Sequence, residues 1–414
     1  MEPIKCDLAF GSVNVVSNNS YTICCVARDS VFTKKQNTRL PHIDKINIEP
    51  LREVRRSLIN GEFHPACSNC QESEKLSSIS LRTIWNNALE KYNIPITEFV
   101  DPKDMRYLSY AFGNKCNSKC MMCGPASSDL WTDEFTKIWA KTQRIRLPLV
   151  TPPTQIHKDS ISEMLDTYPN LEHITLLGGE PTIIEEHVFM LETLISQNKS
   201  KNIELSYVTN LTGINDELIN LWSNFKSVGF NVSIDGFDKV NEYVRYPFKW
   251  NKTDTNLRTI LQHSKDNKSK FSVSLSATLN LYNCIDMGNL IEYWFNVSKE
   301  YDNLNSGILI TRVVQPDYTN LNISSVEHRQ KGKQKLVELL DKIKKEPNIN
   351  PSYEQNINLV LGLLDEPKTT NELLINDAKY FITESDKYRN RNIKDFIPEL
   401  YNDLFKDTDN VIRR

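Results

Sequence analysis

The chain has 414 residues, 25% of them charged, and a formal net charge of −3. That length allows a sizeable core plus a second module, and the charge balance shows no basic excess of the kind that binds nucleic acid or another polyanion. No apolar run approaches the roughly 20 residues that span a bilayer and the N-terminus lacks the apolar stretch of a secretory signal, so no membrane partner and a cytoplasmic location are expected, where thiols stay reduced and grouped cysteines bind metal more often than they form disulfides.

The first hundred residues predict a hairpin, with strands at 13–16 and 21–26 joined across Ser17-Asn18-Asn19-Ser20. A helix follows, marked by the apolar stripe Leu51, Val54, Leu58 and Ile59, and Gly61 suits the C′ position that ends it. Cys67-Ser68-Asn69-Cys70 comes shortly afterwards. With Cys6, Cys24 and Cys25 this region offers five thiols for a four-ligand site. Successive strand side chains point to opposite faces, so Cys24 and Cys25 cannot easily reach the same metal. One is a ligand and the other packs. Four such thiolates can hold structural zinc or an iron–sulfur cluster.

From about Asp104 onward strand-like and helix-like segments alternate, the pattern of a parallel sheet covered by helices. Strands are predicted at 106–113, 173–177, 203–209, 230–234, 271–279 and 307–314. Six such units give an α/β fold, a partial (β/α)6 barrel. In the fifth strand Phe271, Val273, Leu275, Ala277 and Leu279 alternate with Ser272, Ser274, Ser276 and Thr278. One face is then apolar and the other small and polar. In a barrel the serines would line a wet lumen; the alternative is a half-exposed strand of an antiparallel sheet. The same alternation sends Asn231, Ser233 and Asp235 one way and Val232 and Ile234 the other. After Tyr318 helical spacing covers 326–345, 371–389 and 393–405. Three regions result: a small N-terminal module over 1–100, the barrel over 101–318, and a helical C-terminal extension over 319–414.

Cys116, Cys120 and Cys123 stand in a CxxxCxxC spacing just after the first barrel strand. Three thiolates this close can hold one face of a cubane cluster, whereas a complete protein site uses four. The triplet falls in a loop at the carboxyl ends of the strands, where α/β folds place their active sites. The second strand ends in Gly178-Gly179-Glu180-Pro181. Two glycines let backbone approach a ligand closely, and Glu180 can add a charge-assisted acceptor or orient the turn. Thr209-Asn210 and Ser233-Ile234-Asp235-Gly236 end the next two strands. Cys284 is either a hydrogen-atom donor or a buried, inert thiol.

The CxxxCxxC spacing with Met122 before its last Cys, followed one βα unit later by Gly-Gly-Glu-Pro, resembles the signature of the radical S-adenosylmethionine (SAM) superfamily. The resemblance implies a 4Fe–4S cluster on Cys116, Cys120 and Cys123, its open iron chelated by the amino and carboxylate groups of SAM. It implies that Met122 packs near the adenine, with a core Met as the alternative. Gly178, Gly179, Glu180 and Pro181 then belong to the SAM site. Asn210, Ser233 and Asp235 would contact the ribose or methionine part, or else serve as caps and turn formers. Arg245 would pair with the SAM carboxylate or with a surface acid, and Asn280 is a further candidate.

The N-terminal cysteines resemble the twitch-type auxiliary domains of that superfamily, relatives of the fuller SPASM domain. By that resemblance Cys6, Cys24, Cys67 and Cys70 hold an auxiliary iron–sulfur cluster, with Cys25 as the alternative to Cys24 and zinc as the alternative metal. The implied activity is reductive cleavage of SAM to a 5′-deoxyadenosyl radical that abstracts hydrogen from a substrate. A peptide or protein side chain is the expected substrate, a small metabolite or nucleotide the alternative, and the electron donor would be a flavodoxin or ferredoxin. A silent metal-binding module for protein or nucleic-acid contact is the reading from another class. The intact triplet, the Gly-Gly-Glu-Pro turn and the polar barrel face oppose it.

Overall fold

The computed structural model describes residues 2–16, 20–27, 40–76, 80–139, 157–266, 271–301 and 307–406. Residues 17–19 of the expected hairpin turn lie outside them. The chain divides into two compact units, one made of 1–115, 153–208 and 215–228, the other of 116–152, 209–214 and 229–414.

In the first unit β1 (Ser12–Val15), β2 (Tyr21–Thr22), β3 (Tyr107–Ala111), β4 (His173–Leu177) and β5 (Glu204–Thr209) follow the order β2-β1-β3-β4-β5. β1 and β2 form the expected antiparallel hairpin, with Asn14 opposite Thr22. β1 also runs parallel to β3, from Ser12 opposite Tyr107 to Val15 opposite Tyr110. The hairpin therefore adds to the parallel sheet, and all four residues of β1 are buried, as a strand covered on both faces requires. β2 is only two residues long because the chain turns away after Thr22, whose hydroxyl donates to the Cys24 carbonyl at 3.1 Å. The helix Glu49–Ile59 buries Leu51, Val54 and Leu58. Gly61, at φ +79°, ends it. Its N–H donates to Leu58 O at 3.1 Å and that of Glu62 to Ser57 O at 2.9 Å, the paired bonds of a Schellman cap.

The second unit takes the last five residues of β6 (Ser227–Ser233) with β7 (Phe271–Leu279) and β8 (Ile308–Arg312). β7 and β8 are parallel, Leu275 opposite Ile308 through Leu279 opposite Arg312. In β7 the apolar residues are buried and Ser272, Ser274, Ser276 and Thr278 are half-buried. Ser274 Oγ donates to Asn231 Oδ1 at 3.0 Å, so β6 and β7 share one polar face. The strands do not close: β2 and β8 each pair on one side only. The fold is thus a mixed α/β one with open, mostly parallel sheets, as a partial barrel requires.

C-terminal helices run over Val326–Ile343, Ser352–Leu364, Glu372–Arg389 and Pro398–Phe405. The second was not anticipated, although Tyr353, Ile357, Val360 and Leu364 form its buried stripe. It covers the free edge of β8. Ile308 N–H donates to Ser352 Oγ at 3.0 Å, Ile310 N–H to Asn356 Oδ1 at 2.7 Å, and Asn356 Nδ2 to Ile308 O at 2.9 Å. Side chains thus satisfy backbone groups that an open edge would leave free to pair with another chain. No helix among the described residues is long and apolar enough to cross a membrane. Replacing Asn356 by Ala strands one donor and one acceptor, and a loss of about 1–3 kcal/mol is expected in denaturant unfolding.

Candidate functional site

The approach to the cysteine loop is set by backbone packed on backbone. Gly113 and Gly178 sit at φ +94° and +107°, the left-handed region. A Cβ on Gly179 would lie 2.1 Å from the Lys115 carbonyl oxygen, and one on Gly178 2.7 Å from Phe112 N. The Gly179 N–H donates to Gly113 O at 2.7 Å and the Glu180 N–H to Lys115 O at 2.9 Å. Sequence reasoning gave these glycines to a close approach of ligand. Here they bring the end of β4 against residues 112–115, directly ahead of Cys116. The buried Glu180 orients the turn: its Oε1 accepts from Thr182 N at 3.1 Å and Thr182 Oγ1 at 2.6 Å, while Pro181 opens the short helix Pro181–Ile183.

Within the second unit the loop itself is tied down along its length. The N–H of Lys119 donates to Tyr246 O at 2.7 Å and that of Met121 to Val244 O at 2.8 Å. Trp131 Nε1 donates to Cys120 O at 3.0 Å. Cys120 is buried, Cys116 and Cys123 half-buried. The Cys116 N–H donates to Asp129 at 3.1 Å, and the Ser118 hydroxyl lies 3.0 Å from Cys120 Sγ. A hydrogen bond from Cys123 holds the Cys120 thiol below its usual range, helped by the charge of Arg245 against the opposing effect of burial. The same pairing and burial push Cys123 up.

Arg245 has found a partner that neither expectation named. Its Nε lies 2.7 Å from Asp235 Oδ2, the carboxylate being fully buried. Asp235 Oδ1 accepts from Thr278 N at 2.7 Å. Asp235 therefore fixes the guanidinium whose field reaches Cys120 and Cys123. Ser233, half-buried, ends β6. Asn210 forms a turn, its Oδ1 accepting from Thr212 N at 2.9 Å, and its Nδ2 donates to Asn117 Oδ1 at 3.0 Å. Asn117 in turn donates to Thr212 Oγ1 at 2.7 Å, so the segment after β5 is bonded to the cysteine loop. Met122 and Cys123 pack against an aromatic cluster that contains the fully buried Met121, Trp131, Tyr243 and Phe381. Cys284 is buried, donates to Leu281 O at 3.6 Å, and is pushed by burial to about 12, as an inert thiol would be. Asn280 is buried in its own turn, Oδ1 accepting from Tyr282 N at 2.9 Å.

In the first unit Cys6, Cys24, Cys67 and Cys70 line one cavity together with Leu8, Ile23, Leu58, Phe63 and Arg82, and Cys25 is exposed outside it. Cys6 precedes the helix Asp7–Gly11, Cys67 ends the turn Pro65–Cys67, and Cys70 follows one helical turn later on the same face. Burial first, and the neighbouring thiols after it, push Cys6 to about 12 and Cys67 to about 11, and raise Cys24 as well. Thiolates become favourable in such a cavity only when a cationic centre balances them. The donor set is sulfur alone, as zinc or an iron–sulfur cluster prefers. Among the described residues no three His, Cys, Asp or Glu side chains, at this cavity or in the cysteine loop, already converge as they would around a metal ion.

The model of the Radical SAM superfamily matches residues 110–275. No curated protein matches the chain. Among solved structures it is similar to anSMEcpe with bound AdoMet, at 16% identity over 57% of this chain and 59% of that one, with a TM-score of 0.39. It is also similar to Streptococcus suis SuiB bound to S-adenosylmethionine, at 13% identity over 70% and 61%, TM-score 0.34. The same SuiB bound to precursor peptide SuiA gives 13% identity over 70% and 64%, TM-score 0.36. The chain thus spans less than two thirds of the length of each.

Gly179→Ala drives a methyl into the Lys115 carbonyl, an atom that cannot move without the backbone, and should cost about 3 kcal/mol in chemical unfolding. Gly124→Ala, whose Cβ would meet only Phe135 Cε2 at 3.9 Å, should be nearly neutral in the same measurement.

Proposed function

We propose that the chain is a radical SAM enzyme, with Cys116, Cys120 and Cys123 holding a 4Fe–4S cluster and the fourth iron left for SAM. The match over residues 110–275 carries this reading, because it spans all three loop cysteines and the Gly-Gly-Glu-Pro turn. When bound and reduced, the cluster with its SAM supplies a 5′-deoxyadenosyl radical that takes a hydrogen atom from a substrate carbon. The chain's own residues bind and orient. Arg245, held by Asp235, offsets the negative charge of the thiolates. The Ser118 hydroxyl is placed to hydrogen-bond the Cys120 sulfur, a contact that tunes such clusters. Met122 is assigned to the adenine side, and Asn210, Ser233 and the Gly178–Pro181 turn to the remainder of SAM.

The polar face of β6 and β7, half-buried and uncharged at Asn231, Ser233, Ser272, Ser274, Ser276 and Thr278, suits a polar substrate held by hydrogen bonds away from bulk water. The N-terminal cavity is assigned to an auxiliary iron–sulfur cluster on Cys6, Cys24, Cys67 and Cys70 in a twitch-like module. It either relays an electron from the product radical or anchors the substrate. A peptide or protein side chain is the proposed substrate and a flavodoxin or ferredoxin the proposed electron donor.

Anaerobic reconstitution should load about eight irons per chain, four per cluster. With SAM and dithionite the protein should yield 5′-deoxyadenosine. Replacing Cys116, Cys120 and Cys123 by Ala should leave about four irons and no 5′-deoxyadenosine; unchanged turnover would refute the assignment. Replacing Cys6, Cys24, Cys67 and Cys70 instead should also leave about four irons, with 5′-deoxyadenosine formation retained and substrate modification lost.

A further inference from the structure

We propose that Arg389, at the end of the C-terminal helix Glu372–Arg389, is a positioning residue that clamps the cysteine loop in the shape needed to present Cys120. Its side chain is fully buried, as is that of its partner Glu134. The guanidinium is shared three ways. Nε donates to Glu134 Oε1 at 2.7 Å, Nη1 to Met121 Sδ at 3.3 Å, and Nη2 to Lys119 O at 3.1 Å. Two of these three acceptors belong to the stretch between Cys116 and Cys123. A pair that merely docked one helix on another would favour the bidentate fork that Arg and carboxylate form when nothing else competes. Here the second oxygen of Glu134 is given instead to Lys119 Nζ, at 2.6 Å.

Lys119 is therefore held twice, by its ammonium through Glu134 and by its carbonyl through Arg389. The next carbonyl, that of Cys120, is held by Trp131 Nε1. The next side chain, Met121, is held by Arg389 and, at 3.7 Å, by Arg391 Nη2. The rings of Trp131 and Tyr246, with centroids 4.6 and 4.8 Å from the Arg389 guanidinium carbon, fix its plane. The residues on either side of Cys120 are thus both held by one buried cation some 270 positions downstream. Groups that orient metal ligands from behind are a recurrent part of metal sites. Arg389 fits that role without touching a sulfur ligand.

The role rests on the loop being a cluster site, as proposed above, and one experiment separates the two. The full chain is reconstituted anaerobically, and iron release to a chelator is timed beside thermal unfolding of the apoprotein. Arg389→Lys keeps a charge opposite Glu134, but a single ammonium cannot reach Met121 Sδ and the Lys119 carbonyl together. One set of about four irons should then leave about 10–100-fold faster, with the other set and the apoprotein melting temperature as in wild type. The double variant Glu134→Gln/Arg389→Gln, which removes the two fully buried charges together and leaves only the partly exposed Lys119 ammonium without its carboxylate, should behave likewise. Tyr388→Phe, on the exposed side of the same helix, should match wild type. Wild-type release rates in both Arg389 variants would overturn the clamp, and so would faster release that only tracks a lower apoprotein melting temperature. A wild-type chain that takes up no iron would overturn the cluster reading, and the clamp with it.

Discussion

The geometry of the loop that carries Cys116, Cys120 and Cys123 depends on backbone hydrogen bonds made at very short range. The N–H groups of Gly179 and Glu180 reach the carbonyls of Gly113 and Lys115 only because no side chain stands between the two runs of backbone, a Cβ on Gly179 being 2.1 Å from Lys115 O. Beyond Cys116, Lys119 and Met121 donate to Tyr246 and Val244. The thiols between these anchors cannot choose their own geometry. Buried backbone groups left without partners would be costly, so the same bonds that fix the loop also permit its burial.

Charge is handled in the same economical way. Asp235 and Arg245 form a buried pair, an arrangement whose desolvation cost often matches its Coulombic gain. It adds little to stability by itself. What it provides is a cation whose position is fixed by Thr278 N on the other carboxylate oxygen, and whose charge acts on the Cys120 and Cys123 sulfurs. Glu134 does the converse, a buried carboxylate pairing with both Lys119 and Arg389. Four ionic side chains thus pack around a segment of eight residues that supplies a fifth, Lys119, and of the five only Lys119 and Arg245 keep any exposure, 15% and 12%.

Much of this was legible in the sequence because it is local. The alternation of β7 and the Gly61 cap are periodic or positional signals, and the six expected barrel strands match β3–β8 closely. Other features depend on distant partners. The loss of β2 beyond Thr22 comes from a turn that carries Cys24 to the cavity wall, which strand propensity does not register. The helix Ser352–Leu364 carried a readable stripe, yet its polar Asn-rich surroundings resembled loop. That Gly178 and Gly179 serve backbone packing, and that Arg245 turns to Asp235, follow from contacts no spacing rule encodes. Arg389 is the extreme case, since nothing about an Arg at a helix end, where it favours the dipole anyway, points to a loop 270 residues earlier. By contrast, the gathering of Cys6, Cys24, Cys67 and Cys70 around one cavity was suggested by resemblance before geometry.

The central claim is that the triplet binds a cluster with one iron free to take SAM, and electron paramagnetic resonance addresses it most directly. In protein whose N-terminal cysteines Cys6, Cys24, Cys67 and Cys70 have been replaced, any signal after reduction belongs to the loop. Adding SAM should shift its g-values, because the cofactor enters the iron's coordination sphere. A reduced signal that SAM leaves unaltered would contradict the account.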